Sequence, residues 1–150
     1  MTDRKKRAYT TLLRMAKVKE VRADVALAQA STAEAEQRRH VDQVSAARNA
    51  VAAASHACTG EGVRLDLGRY EMLALLDMAL ADKHAAASQR LDEASRTRKE
   101  RASENVLAKR YRERVGEKLD DVRSTLMRER LAKTQEEMVE LWIGHTGEAP

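Results

Sequence analysis

The sequence contains no phenylalanine, and its only aromatic residues are one tryptophan and three tyrosines among 150 residues. Alanine is the most frequent residue within an apolar fraction of 43%. Alanine buries little surface, so this composition cannot fill a thick globular core. It favours helix instead, because alanine, leucine, arginine and glutamate are the strongest helix formers.

Proline, glycine and cysteine are also scarce. The one proline is Pro150, and three of the six glycines lie between Cys58 and Gly68. Cys58 is the only cysteine, which excludes an internal disulfide, and it has no CxxC partner for zinc. No run of 18 apolar residues is present, and the first residues lack the pattern of a signal peptide. We therefore expect a cytoplasmic protein.

The spacing of helix breakers predicts two long helices in a single all-α domain. The first helix is expected at about 3–57 and the second at about 67–143, with a glycine-containing hinge at about 58–66 and a frayed tail at 144–150. Two helices joined by a short glycine turn fold back on each other. The fold class predicted is therefore a long antiparallel two-helix coiled-coil hairpin.

Heptad spacing indicates which residues pack between these helices. In the second helix the clearest line is Val115, Leu119, Val122 and Leu126, continued loosely by Leu131, Met138 and Leu141. In the first helix a weaker line is Val18, Val21, Val25, Ala28, Thr32 and Ala35, with a second patch at Val41, Val44 and Val51. These positions are the predicted core.

The formal charge of +4 is unevenly distributed. Residues 1–22 carry eight basic and two acidic side chains, and residues 96–118 carry nine basic and four acidic ones. The hairpin would place much of the second block beside the first. Like charges gathered in this way do not stabilise the hairpin, so they indicate an external acidic partner, with a merely solubilising face as the alternative.

The sequence contains no pattern that is typical of a catalytic site or a metal site. The four histidines are scattered, and no phosphate-binding glycine loop or nucleophile elbow is present. We expect no enzyme activity, no cofactor and no metal. Nucleic acid is an unfavoured partner, because side chains that could stack on bases are nearly absent and no leucine zipper follows the basic block.

Three segments together resemble the FliJ/YscO family, the small stalk proteins of flagellar and injectisome type III secretion. They are LLRMAKVKEVRADVALAQA from Leu12, RYEMLALLDMALADKHAA from Arg69 after the glycine hinge, and RLAKTQEEMVELW from Arg130. The resemblance covers nearly the whole chain in length, charge and hinge position. It implies a coiled coil that couples an export ATPase to an export gate.

The resemblance also implies sites. The end that carries both termini would enter the pore of the hexameric export ATPase, and the hinge half would contact the export gate protein, with export chaperones as further partners. The ATPase-binding residues would be Arg4, Lys5, Lys6, Arg7, Arg14, Arg110, Arg112 and Arg114. The gate-binding residues would be Tyr70, Met72, Leu73 and Leu76.

Trp142 has two interpretations, a terminal packing residue or an exposed contact for a partner. The expected location is the cytoplasmic face of the export apparatus, peripheral to the membrane, and the lack of phenylalanine favours the injectisome branch. Two other functions stay open from the sequence: a helical protein that binds nucleic acid without sequence preference, and a self-associating coiled-coil scaffold.

Overall fold

The computed structural model describes residues 2–147, and two α-helices account for nearly all of them. Helix α1 is Thr2–Cys58 and helix α2 is Leu67–Thr146. No strand occurs in this range. The all-α prediction is confirmed for the described residues, and the helix bounds lie close to the predicted ones.

The turn between the helices has the features that the sequence led us to expect. Gly62 adopts a φ of 78°, a backbone conformation that residues with a Cβ atom rarely adopt. The amide of Val63 donates to the carbonyl of Gly60 at 3.3 Å. At the start of α2, the carboxylate of Asp66 accepts a hydrogen bond from the amide of Arg69 at 3.2 Å, as an N-cap does.

At its other end α2 continues through Thr146, beyond the predicted end at Ile143. The amide of Gly147 donates to the carbonyl of Ile143 at 3.0 Å and closes the last turn. Gly144 therefore does not terminate the helix. A single glycine within a helix costs only about 1 kcal/mol relative to alanine. The remainder of the predicted tail, residues 148–150, lies outside the described residues.

The chain divides into two compact units, and each contains part of both helices. Unit 1 consists of residues 2–23 and 105–147, as far as the structure describes it, and unit 2 is Asp24–Glu104. In unit 2 a small core forms beside the turn from Val51, Cys58 and Leu73, against which Ala54 and Leu80 pack. Further buried residues of this unit are Ala30, Val44 and Ala87.

Ion pairs join the two helices within unit 2. Glu34 of α1 is only 8% exposed, and it pairs with Arg98 of α2 and with Arg38 one turn along its own helix. Closer to the turn, Nε of Arg48 lies 3.2 Å from Oδ1 of Asp77. Within unit 2, a residue later in α1 thus pairs with a residue earlier in α2. The pair at Glu34 is compatible with burial because guanidinium groups compensate the carboxylate.

Unit 1 has a comparable interface between its two helical segments. Ala16, Val115, Leu119 and Leu126 are buried, and Val122 is half-buried. Glu20 of α1 pairs with Arg112 of α2, and Thr2 donates to the carboxylate of Glu129 at 3.1 Å. The four residues of the late α2 heptad line are therefore interface residues, as their spacing predicted.

The predicted core of α1 requires a correction. Val18, Val21 and Val25 are half exposed or more, and Ala28, Thr32 and Ala35 are exposed as well. Buried positions instead include Ala16, Ala30 and Glu34, whereas the predicted patch at Val41, Val44 and Val51 is at least half-buried. The spacing of the valines predicted the wrong face of α1. The packed face contains alanine, which allows close helix approach, and glutamates that are paired with arginine.

The predicted continuation of the α2 line is also wrong. Leu131, Met138 and Leu141 are all more than half exposed. At about 100° of rotation per residue, Leu131 and Met138 lie on a different face of α2 from Leu126, about 120–140° away, whereas Leu141 lies within about 60° of it. These three apolar side chains are therefore largely accessible to solvent within the described residues.

Candidate partner-binding surfaces

The basic residues at the start of α1 form an accessible surface of unit 1. Arg4, Lys5, Arg7 and Arg14 are exposed and Lys6 is half-buried. A groove beside them is lined by Asp3, Lys6, Arg7, Thr10, Thr11, Arg14 and Arg130. The hydroxyls of Thr10 and Thr11 donate to backbone carbonyls one turn earlier, and the charged groups of the groove are four cations and the carboxylate of Asp3.

The predicted basic residues of α2 fall into two kinds. Arg110 and Arg114 are exposed and lie one helical turn apart, whereas Arg112 is half-buried. The guanidinium of Arg112 lies 2.5 Å from the Glu20 carboxylate and 3.9 Å from that of Glu113. Arg112 therefore helps to hold α1 and α2 together, and it is a poor candidate for contact with a partner.

All eight predicted ATPase-binding residues lie in unit 1, but the second basic block as a whole does not. Its early members Arg96, Arg98, Lys99 and Arg101 lie in unit 2, where Arg98 pairs with Glu34 and Arg101 with Glu104. Another contact in unit 1 places Nζ of Lys19 5.7 Å from the ring centroid of Tyr111. Residues 105–147 carry nine basic and eight acidic side chains, so the net positive charge of unit 1 comes chiefly from residues 2–22, and Arg110 and Arg114 are exposed cations of α2.

The structure separates the four predicted gate-binding residues. Leu73 is 8% exposed and belongs to the core with Val51 and Cys58. Met72 is 61% exposed and Leu76 is 44% exposed, one turn apart on a solvent-facing side of α2. Tyr70 lines a different groove, which includes Val51, Ser55, His56, Thr59, Ala74, Asp77 and Met78.

Sequence reasoning overlooked one residue of this region. Leu75 is 67% exposed and lies one turn after Met72, next to Leu76. The exposed apolar side near the turn is therefore made by Met72, Leu75 and Leu76, which we call the turn face. The signal was present in the sequence, because positions i, i+3 and i+4 share one side of a helix.

Trp142 is 70% exposed, so the interpretation as a shielded packing residue is not supported. Its neighbours Leu141 and Ile143 are also exposed. A shallow depression nearby is lined by Glu137, Glu140, Leu141, Gly144 and His145. The end of α2 thus offers large apolar side chains to solvent.

Side chains that could bind a metal ion do not cluster in the described residues. No group of three or more histidine, cysteine, aspartate or glutamate side chains is placed to hold a metal ion within residues 2–147. Cys58 is a buried free thiol beside the turn. Across the same residues, neither helix contains a stretch long and apolar enough to span a bilayer.

The accessible charged and apolar surfaces of the described residues are the basic start of α1, the turn face and the end of α2. Comparison of the chain with protein-family models, with curated proteins and with solved structures gives no match in any of the three.

Proposed function

We propose that this chain is a non-enzymatic stalk of the FliJ/YscO type, which couples a type III secretion ATPase to the export gate. In this proposal the helices form an antiparallel two-helix coiled coil within each unit. Support comes from the interface residues Val115, Leu119, Val122 and Leu126, and from ion pairs in which rising numbers in α1 meet falling numbers in α2. The protein acts at the cytoplasmic face of the export apparatus.

The observation that carries the proposal is the exposed positive charge of unit 1. The side chains of Arg4, Lys5, Arg7 and Arg14 point to solvent from the segment of α1 that pairs with Glu129 of α2. A partner with an acidic surface gains both association rate and orientation from such a cluster. The hexameric export ATPase is the partner, and Arg110 and Arg114 extend the contact.

The contact with the export gate is assigned to the turn face. Met72 and Leu76 present apolar surface without a role in the core, and Met adapts its shape to a partner. Leu73 supports this face from inside the unit, through its packing on Val51 and Cys58. Export chaperones are further candidate partners of the same protein.

The test is binding to the hexameric export ATPase, followed by ATP hydrolysis with and without this protein. The test variant is Arg4→Glu with Arg7→Glu, and the matched control is Lys83→Glu with Arg90→Glu, which changes net charge equally at exposed positions of unit 2. We expect the first variant to weaken binding about tenfold or more and the control to weaken it about twofold at most.

Equal losses for both variants would remove the argument from charge placement, and absence of any binding would remove the proposal itself. Binding of a labelled oligonucleotide serves as a further control. A steep decrease of oligonucleotide affinity with salt, together with no ATPase binding, would favour the alternative function in nucleic-acid binding.

A further inference from the structure

The end of α2 carries an apolar face without a partner in the described residues. It consists of Met127, Leu131, Met138, Leu141 and Trp142, which we call the end face, and each of these side chains is more than half exposed. Leu126 is the last buried residue of α2. Exposed apolar side chains that share one face of a helix, as these do, mark a surface for association.

This face is not a continuation of the interface with α1. The heptad spacing of Val122 and Leu126 leads onward to Glu129, Lys133, Glu136 and Glu140, which are charged and exposed. Met127 is rotated from Leu126 by about 100°, and Leu131 by about 140°, at about 100° per residue in a helix. The end of α2 therefore has a charged side in line with the interface and a separate apolar side.

Charges beside the end face change sign along the helix. On one flank of this face the basic Arg130 comes first and the acidic Glu137 follows. With Leu131 and Met138 at the centre of the apolar face, Arg130 and Glu137 occupy equivalent flanking positions one heptad apart. A helix with this order of charge is complementary to itself in the reversed direction.

We propose that the end face binds the end face of a second copy of this chain, with the two helices antiparallel. In that register Arg130 of each copy lies beside Glu137 of the other, and Met127 packs against Met138 of the second copy. Parallel pairing would give neither charge a partner, because Arg130 would adjoin Gln135 and Glu137 would adjoin Trp142. This inference does not depend on the proposed stalk function.

The pairing has a limited area, since it involves about three heptads of one helix from each copy. Small interfaces of this kind form transient complexes. We expect a dimer that is half-formed between about 10 and 100 µM, and a monomer below that range. Any other partner that covers the end face would compete with the dimer.

The experiment is sedimentation velocity of the full chain over a range of concentrations, with three variants. Arg130→Glu places two carboxylates together in each flank of the pair, and Glu137→Arg places two cations together. We expect each single variant to weaken dimerisation at least about fivefold. The double variant Arg130→Glu with Glu137→Arg restores both pairs, as does an equimolar mixture of the two single variants.

Helix content by circular dichroism controls for folding, because both positions are exposed and the side chain of Arg130 is 3.9 Å from that of Asp3 in its own chain, a long contact for an ion pair. Restoration in the double variant and in the mixture supports the antiparallel register. A chain that stays monomeric at about 500 µM overturns the proposal, since no dimer then forms on the expected scale. Dimerisation that is unaffected by Arg130→Glu and Glu137→Arg overturns it equally, because the copies then meet through another surface.

Discussion

Replacing Leu119 with alanine tests whether the late heptad line of α2 holds unit 1 together. Leu119 is 1% exposed and is the largest fully buried side chain among the described residues. The substitution removes three carbons, which corresponds to about 2.4 kcal/mol of lost burial at about 0.8 kcal/mol per carbon. An open groove lined by Leu13, Lys17 and Gly116 lies beside Leu119, so the site can refill and the added cavity cost is small.

We therefore expect Leu119→Ala to lower the free energy of unfolding by about 2–3 kcal/mol, or the midpoint of thermal unfolding by about 5–10 °C. The matched control is Leu107→Ala in the same helix and the same unit, where the side chain is 60% exposed. Its expected cost is below about 1 kcal/mol, because less than half of the same surface is buried.

The assay is urea unfolding followed by far-ultraviolet circular dichroism, with each variant measured at the same protein concentration. Both substitutions exchange leucine for alanine, so differences in helix propensity cancel between them. If the free energies of unfolding of the two variants differ by less than about 0.5 kcal/mol, Leu119 is not a core residue and the assigned interface is incorrect.

Two further comparisons test the assignment of faces. Val44→Ala should cost about 1.5 kcal/mol and Val25→Ala about half as much, because Val44 is buried and Val25 is 52% exposed; equal costs in urea unfolding would return Val25 to the predicted core. Leu73→Ala should lower stability by about 2 kcal/mol, whereas Met72→Ala with Leu76→Ala should change it by less than about 1 kcal/mol and still reduce binding to the gate protein. Gate binding that is unchanged in the Met72 and Leu76 variant would remove the turn face from the proposed function.

Much of the candidate surface could be located from the sequence, because charge and helix breaking are local properties. The basic residues Arg4, Lys5 and Arg7 are exposed, as their density of charge indicates, and Trp142 is exposed near the end of α2. The role of Arg112 could not be read in the same way. Whether an arginine faces solvent or a buried carboxylate depends on the helix that packs against it, and here that helix supplies Glu20.

The sequence by itself determined two helices, the turn between them and the late α2 interface. Helix formers without an interior proline, a glycine cluster and the regular spacing of Val115 to Leu126 each act through neighbouring residues. Only the tertiary structure decided which face of α1 packs and which of Met72 and Leu73 is buried. Alanine and an ion-paired glutamate give no hydrophobic signal in a sequence, and they become interface residues only when a second helix brings close contact and a compensating charge.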